Sequence, residues 1–271
     1  MNKLISFILP LLLFLVVTPV YADELSDRNA TELLRQLESF GEEEAKKNVF
    51  QDGMDAYLQR DYKTAFKNFK SLAGQGHSMA QLQLGELYEL GWGVPQDYKK
   101  AVEWYRKASE QGEFRASEQL YLMYHKGRGV AKDEAEAQKW GHKASKQKQN
   151  LAVKYYRKKA EQGKAFAQFK LGEMFSQGQG VPQDDAEALK WYLKAAEQGH
   201  ASAQNNLGVR YSKGKGISQN YLEAYKWFKL AEAKGLKVGR QNRETIEKIM
   251  TPEQIAEAQK LVREWTPKPP Q

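Results

Sequence analysis

The chain has 271 residues, a formal charge of +8 and no cysteine. Without cysteine there is no disulfide framework, no thiol nucleophile and no thiolate metal site. A pI near 9.3 suits acidic protein surfaces or anionic envelope components as partners, and the export signal described next argues against nucleic acid.

Residues 1–22 read as a secretory signal peptide. Lys3 supplies the positive start, Leu4 to Val17 is apolar but interrupted by Pro10, and Val20-Tyr21-Ala22 places small residues at the cleavage site. The rival is an uncleaved anchor, for which the apolar run is short. Cleavage would leave 271 − 22 = 249 residues with a charge of +8 − 1 = +7. It would leave no stable membrane span and a periplasmic or secreted protein. No cysteine follows the signal, so a lipid anchor is excluded.

Residues 23–48 are acidic with helical spacing, Leu33, Leu34, Leu37 and Phe40 forming the apolar set, and predict an N-terminal capping helix. Residues 49–239 predict a repeat array. Val94 to Gly112 returns as Val181 to Gly199 with 12 of 19 positions identical, which marks a repeat architecture. Within each unit Ala80, Leu84, Leu87 and Tyr88 share one helix face (helix A). A Gly-x-Gly turn follows, and then Ala101, Trp104, Tyr105 and Ala108 share the face of a second helix (helix B). Asp97, Asp184 and Asn220 stand as N-caps of helix B, with Glu187 and Glu223 placed for capping boxes. Phe50 to Gly76 is a degenerate first copy whose helix B buries Ala65, Phe69, Leu72 and Ala73.

Repeats two and three keep a 36-residue phase, as Ala80 to Ala116 and Trp104 to Trp140 show. Then the phase slips. Leu151 to Gly163 resembles a further helix B, offset by 51 residues from repeat two, so 15 extra residues rich in Lys and Gln intervene. The irregular insert is placed near 145–163, with a helix break near Gln147 to Asn150 because nothing apolar lies between Ser145 and Asn150. Repeats four and five return to register, giving about five repeats. Residues 240–265 predict C-terminal capping helices. There Thr251-Pro252-Glu253-Gln254 is a strong start signal, and Ile255, Ala258, Val262 and Trp265 form a buried stripe. Residues 266–271 contain no core-forming side chain and predict a disordered tail.

The pattern Ala-x-x-x-Leu-Gly-x-x-Tyr-x-x-Gly-x-Gly-Val-x-x-Asp-x-x-x-Ala-x-x-Trp-Tyr-x-Lys-Ala, spanning Ala80 to Ala108, resembles the Sel1-like repeat family, a relative of tetratricopeptide repeats. The resemblance implies an all-α, α/α solenoid of helix-turn-helix repeats with helices A lining a concave face. It also implies scaffold or adaptor work between proteins. A cysteine-rich branch of the family is linked to β-lactam hydrolysis, and this chain lacks those cysteines.

No catalytic constellation and no cofactor motif stands out. The Gly-x-Gly turns follow helices rather than strands, so they are not dinucleotide loops. His77 and His200 occupy equivalent linker sites without metal-ligand spacing. Trp104, Trp140, Trp191 and Trp227 recur in phase and are expected in the core. The positions that do not repeat are the candidates for partner binding on helix A: Leu82, Glu86 and Glu89 in repeat two; Arg115, Glu118, Leu122, His125 and Lys126 in repeat three; Phe166, Phe169 and Glu173 in repeat four; Asn205, Val209 and Lys213 in repeat five. Their mix of charge and apolar surface suits a peptide or helix of a partner protein. The predicted function is a non-enzymatic protein-interaction scaffold in the bacterial cell envelope. The alternatives are a cell-wall-acting enzyme, such as a β-lactam or peptidoglycan hydrolase, or a binder of anionic wall polymer through the lysine-rich insert.

Overall fold

The computed structural model describes residues 27–269, and the signal-peptide segment lies outside them. Twelve α-helices and no strand occur among the described residues: α1 Asp27–Leu58, α2 Tyr62–Gly74, α3 Ser78–Leu90, α4 Tyr98–Glu110, α5 Phe114–Lys126, α6 Glu134–Glu161, α7 Ala165–Gln177, α8 Asp185–Glu197, α9 Ala201–Lys213, α10 Tyr221–Ala233, α11 Lys237–Glu247 and α12 Pro252–Glu264. The described residues form two compact units, divided between Ala137 and Gln138. The first holds α1 to α5 and the second most of α6 and all of α7 to α12. Each is a run of α/α-solenoid packing.

Short helices of 13 residues need their ends satisfied, and at most of them here, though not at α5 and α7, a local side chain does it. Asp97 accepts the Lys100 amide at 3.0 Å, and Asp184 accepts those of Ala186 and Glu187 at 2.9 and 3.0 Å. The expected capping boxes at Glu187 and Glu223 do not form. Glu187 instead pairs with Lys190, and Glu223 accepts from the Trp227 indole and pairs with Lys226. Thr251 does form the full box, its amide donating to Oε1 of Gln254 at 2.9 Å. The two linker histidines cap helix A: Nδ1 of His77 accepts from Ala80 and Nδ1 of His200 from Ala203.

Helix pairs lock through one close approach. A Cβ on Gly85 would lie 2.6 Å from the Tyr105 ring, on Gly172 2.8 Å from Tyr192, and on Gly208 2.6 Å from Phe228. Only a residue without Cβ lets helix A sit down on that ring. Successive pairs are joined by buried glutamines. Nε2 of Gln81, Gln168 and Gln204 each donates, at 3.2 Å, to a carbonyl in the preceding helix B: Ala73, Ala160 and Ala196.

The structure corrects several expectations. No break separates the N-terminal cap from the first repeat: α1 runs through residues 48–50, and Phe40 on it is exposed rather than buried. Trp191 and Trp227 are core residues, but Trp104 and Trp140 are only half-buried. Each of these two carries a lysine over its ring, Lys107 at 4.2 Å and Lys143 at 4.6 Å. The tail is placed as far as Pro269. The Lys268 amide donates to the Glu197 carbonyl at 2.8 Å and its ammonium meets the Glu197 carboxylate, so that segment lies against α8.

The expected break near Gln147 to Asn150 is also absent, α6 being continuous for 28 residues. Ala144 and Val153 are buried on either side of the polar stretch, so packing holds the helix at both ends. A break would orphan about four N–H and four C=O groups, and no glycine or proline is there to turn the chain. The extra helix B does exist within α6. A Cβ on Gly93, Gly129 or Gly216 would meet the carbonyl of the first residue of the preceding helix B, namely Tyr62, Tyr98 or Asp185; on Gly180 the residue met is Gln149. Gln149 therefore holds the first position of a helix B that has no helix A of its own.

Candidate functional site

In the first unit two of the variable helix-A positions are neighbouring carboxylates. Glu86 and Glu89 lie three residues apart on one face of α3, both half-buried. The Tyr105 hydroxyl donates to Oε2 of Glu89 at 2.8 Å, and the Arg128 guanidinium stands 4.0 Å from Oε1. Burial, reinforced by the charge of Glu89, pushes the Glu86 carboxyl up to about 6, against the pull of Arg115. The Tyr105 hydroxyl is likewise pushed up, by burial and then by Glu89. Glu86, Glu89 and Arg115 are thus brought within electrostatic reach of each other. Leu122, Arg115, Glu118 and Lys126 on α5 are exposed. His125 is half-exposed, with Nδ1 2.8 Å from Glu134 and its ring stacked on Tyr121.

In the second unit the exposed anchor is Phe166. Lys170 spans the Phe166 and Phe169 rings at 5.8 and 5.5 Å and pairs with Glu173 at 2.8 Å. His200 stacks on Phe169 at 4.6 Å. Burial lowers the pKa of His200, Glu173 opposing and Lys170 assisting. Val209 is half-buried and Lys213 exposed.

Three of the candidate residues are not available to a partner. Leu82 is fully buried, Phe169 is buried beneath His200, and Asn205 is buried with its Oδ1 accepting from Asn242 at 2.9 Å. These helix positions point between elements rather than outward. Helix phase fixes the angle of a side chain and not what neighbouring helices cover, so the sequence does not separate the two cases.

Sequence reasoning also missed Arg210. It is 4% exposed, with both terminal nitrogens 3.1 Å from Oδ1 of Asp185, one of them 2.9 Å from the Ser176 hydroxyl, and a further bond to the Lys215 carbonyl. Its guanidinium lies over the Tyr192 ring at 5.3 Å. A second missed cluster closes the array. Burial raises the Glu232 pKa, but bonds from Arg243 and Lys229 outweigh it and hold the carboxyl at about 2. The one signal for Arg210 was an arginine at a helix-A position filled by other residue types elsewhere, Leu87, Met123 and Met174.

Among the described residues no group of three or more His, Cys, Asp or Glu is placed to hold a metal ion, and no helix is long and apolar enough to cross a membrane. The helix pairs, their glycine contacts and the glutamine joints define an α/α repeat protein. Residues 49–77, 78–113, 114–149, 145–164, 165–200 and 201–236 match the Sel1 repeat, and the chain belongs to that family. The short 145–164 match covers the lone helix B in α6. Among solved structures the chain is similar to a protective antigen of uropathogenic Escherichia coli that displays an SLR fold. That likeness is 33% identity over 81% of this chain and 53% of the antigen, with a TM-score of 0.41. It is also similar to a Sel1 repeat protein from Oxalobacter formigenes, at 32% identity over 69% of this chain and 70% of that one, with a TM-score of 0.34. The chain spans about half the length of the Escherichia coli antigen. No curated protein matches the sequence. Sel1 repeat proteins are generally non-catalytic scaffolds for protein interaction.

Proposed function

We propose that this protein is a non-enzymatic scaffold of the bacterial cell envelope, exported by its N-terminal signal, that holds a partner protein on the helix-A faces of its repeats. One observation carries the reading. Positions that build the fold recur from repeat to repeat, as Gly85, Gly172 and Gly208 do, whereas one outward register carries Glu86, Leu122, Glu173 and Val209. A face that varies while its frame repeats is free to be fitted to a partner. The solvent-accessible members are Glu86, Glu89, Arg115, Glu118, Leu122, His125 and Lys126 in the first unit, and Phe166, Glu173, Val209 and Lys213 in the second.

Crosslinking in the native envelope followed by affinity capture of the tagged full chain tests this. A stoichiometric protein partner is expected. It should be lost from the Glu86→Lys/Glu89→Lys or the Phe166→Ser variant while both variants keep the wild-type helical spectrum. Recovery of no stoichiometric partner overturns the reading.

A further inference from the structure

We infer that the second half of α6 offers a vacant helix-A slot, and that its occupant is an acidic amphipathic helix of another protein with a small residue at its centre. The inference rests on the scaffold reading and specifies one of its binding surfaces.

The vacancy follows from register. In repeats two, four and five, helix B presents three positions to its own helix A: Ala101, Tyr105 and Ala108 in repeat two, Ala188, Tyr192 and Ala195 in repeat four, Ala224, Phe228 and Ala231 in repeat five. All nine residues are at most 3% exposed. The helix B that begins at Gln149 carries Ala152, Tyr156 and Lys159 at those positions, and all three are only half-buried. Its opposite side is closed in the ordinary way, with Val153 and Ala160 buried and the Ala160 carbonyl accepting from Gln168 of α7. What is missing is the helix A itself, because the preceding residues continue α6 instead of forming an A helix and a turn.

Next to the vacancy stand apolar groups that the fold leaves more than half exposed. Leu151 is 55% exposed, Tyr155 58% and Phe166 56%, the highest values among the large apolar side chains from 138 to 248. Tyr155 and Tyr156 pack edge to face at 5.3 Å, and Tyr156 meets Phe166 at 6.4 Å. Contiguous exposed aromatics of this kind mark interaction surfaces. In repeats two, four and five the ring at the Tyr156 position sits against a helix-A glycine, so the incoming helix needs a glycine there. Charge selects its sign. From Ala137 to Ala160 there are eight Lys and Arg residues and no Asp or Glu, a field that favours an acidic helix and repels a basic one. Helix α3 of this same chain has the required character: Gly85 at its centre, Glu86 and Glu89, and no basic residue.

The test uses a fluorescent peptide of residues 78–90, stapled to hold the helix, titrated with the full chain and followed by anisotropy. Saturable binding is expected. It should weaken about tenfold for Tyr155→Ser, for Lys159→Glu, and for a peptide with valine in place of its glycine, the loss of one good aromatic contact. Tyr155→Ser and Lys159→Glu alter exposed or half-exposed groups, so both variants keep the fold. Three results overturn the inference. The first is no binding to the wild type. The second is equal binding of a scrambled peptide of the same composition, which would reveal a general anion surface suited to wall polymer. The third is a dimer of the free chain that Lys159→Glu dissolves, which would put a second copy in the slot. If the peptide fails while a stoichiometric envelope partner is still captured, the slot falls and the scaffold stands. If the peptide binds as expected but no envelope partner is found, the scaffold reading fails by its own test.

Discussion

Nε2 of Gln198 donates to Oε1 of Gln168 at 2.7 Å, while Gln168 itself donates to the carbonyl of Ala160. The pair repeats as Gln111 on Gln81, also at 2.7 Å. In repeat three Ser117 replaces the buried glutamine and bonds Ser109 instead, at 2.6 Å. In repeat five the chain is incomplete: Gln204 is fully buried, its Oε1 has no partner, and the position of Gln111 and Gln198 holds Lys234. Lys234→Gln should supply the missing donor. A satisfied buried acceptor contributes about 0.5–1.5 kcal/mol, so urea unfolding should show a raised midpoint with an unchanged slope. A lowered midpoint would mean that Lys234 already serves Gln204.

The glycine contacts predict an asymmetric cost. Gly172→Ala places a methyl group 2.8 Å from the Tyr192 ring. Overpacking of this kind typically costs about 1–3 kcal/mol, despite the better helix propensity of alanine. The same change at Gly41, where nothing lies within 4 Å, should be neutral or stabilise by about 0.5–1 kcal/mol. In thermal melts the midpoint should fall for Gly172→Ala and hold or rise for Gly41→Ala.

Glu86 gives the fold a pH dependence. Its folded pKa of about 6 lies above the ordinary 4.5, so the native state binds this proton more tightly than the unfolded chain does. Its contribution therefore lowers stability as pH rises from 4.5 to 6, is fully adverse above 6 and vanishes below 4.5. Glu86→Gln should stabilise at neutral pH by up to about 2 kcal/mol, the free-energy equivalent of that displacement. It should have little effect near pH 4. Denaturant titrations at the two pH values check the sign, and equal effects at both would refute it.

Arg210 should resist conservative replacement. Its guanidinium holds Asp185, Ser176 and the Lys215 carbonyl at once, a geometry that an ammonium cannot reproduce. Arg210→Lys should cost about 2–3 kcal/mol, within the range for losing a charged hydrogen bond from a buried site. Since Asp185 is half-exposed, Asp185→Asn should cost less. A smaller loss for the lysine variant than for the asparagine variant would contradict this ordering.

The sequence by itself determined the repeat and its local structure. A 36-residue period, recurring Asp and Asn caps, Gly-x-Gly turns and the Ala/Trp/Tyr stripe place nearly every helix. The reason is that caps, turns and amphipathic faces are short-range properties, settled within about one helical turn of the residue concerned. Tertiary structure decided what the same helical angle means in different repeats. Leu82 and Glu86 lie four residues apart on α3, yet one is sealed by its neighbours and the other borders solvent. It also decided the fate of α6. Its middle has nothing apolar, but Ala144 and Val153 are packed on either side and carry the helix through. Coverage depends on which distant elements arrive at a face, and Arg210 shows it most directly. A charge that reads as surface is buried because Asp185, 25 residues earlier in the chain, is folded against it.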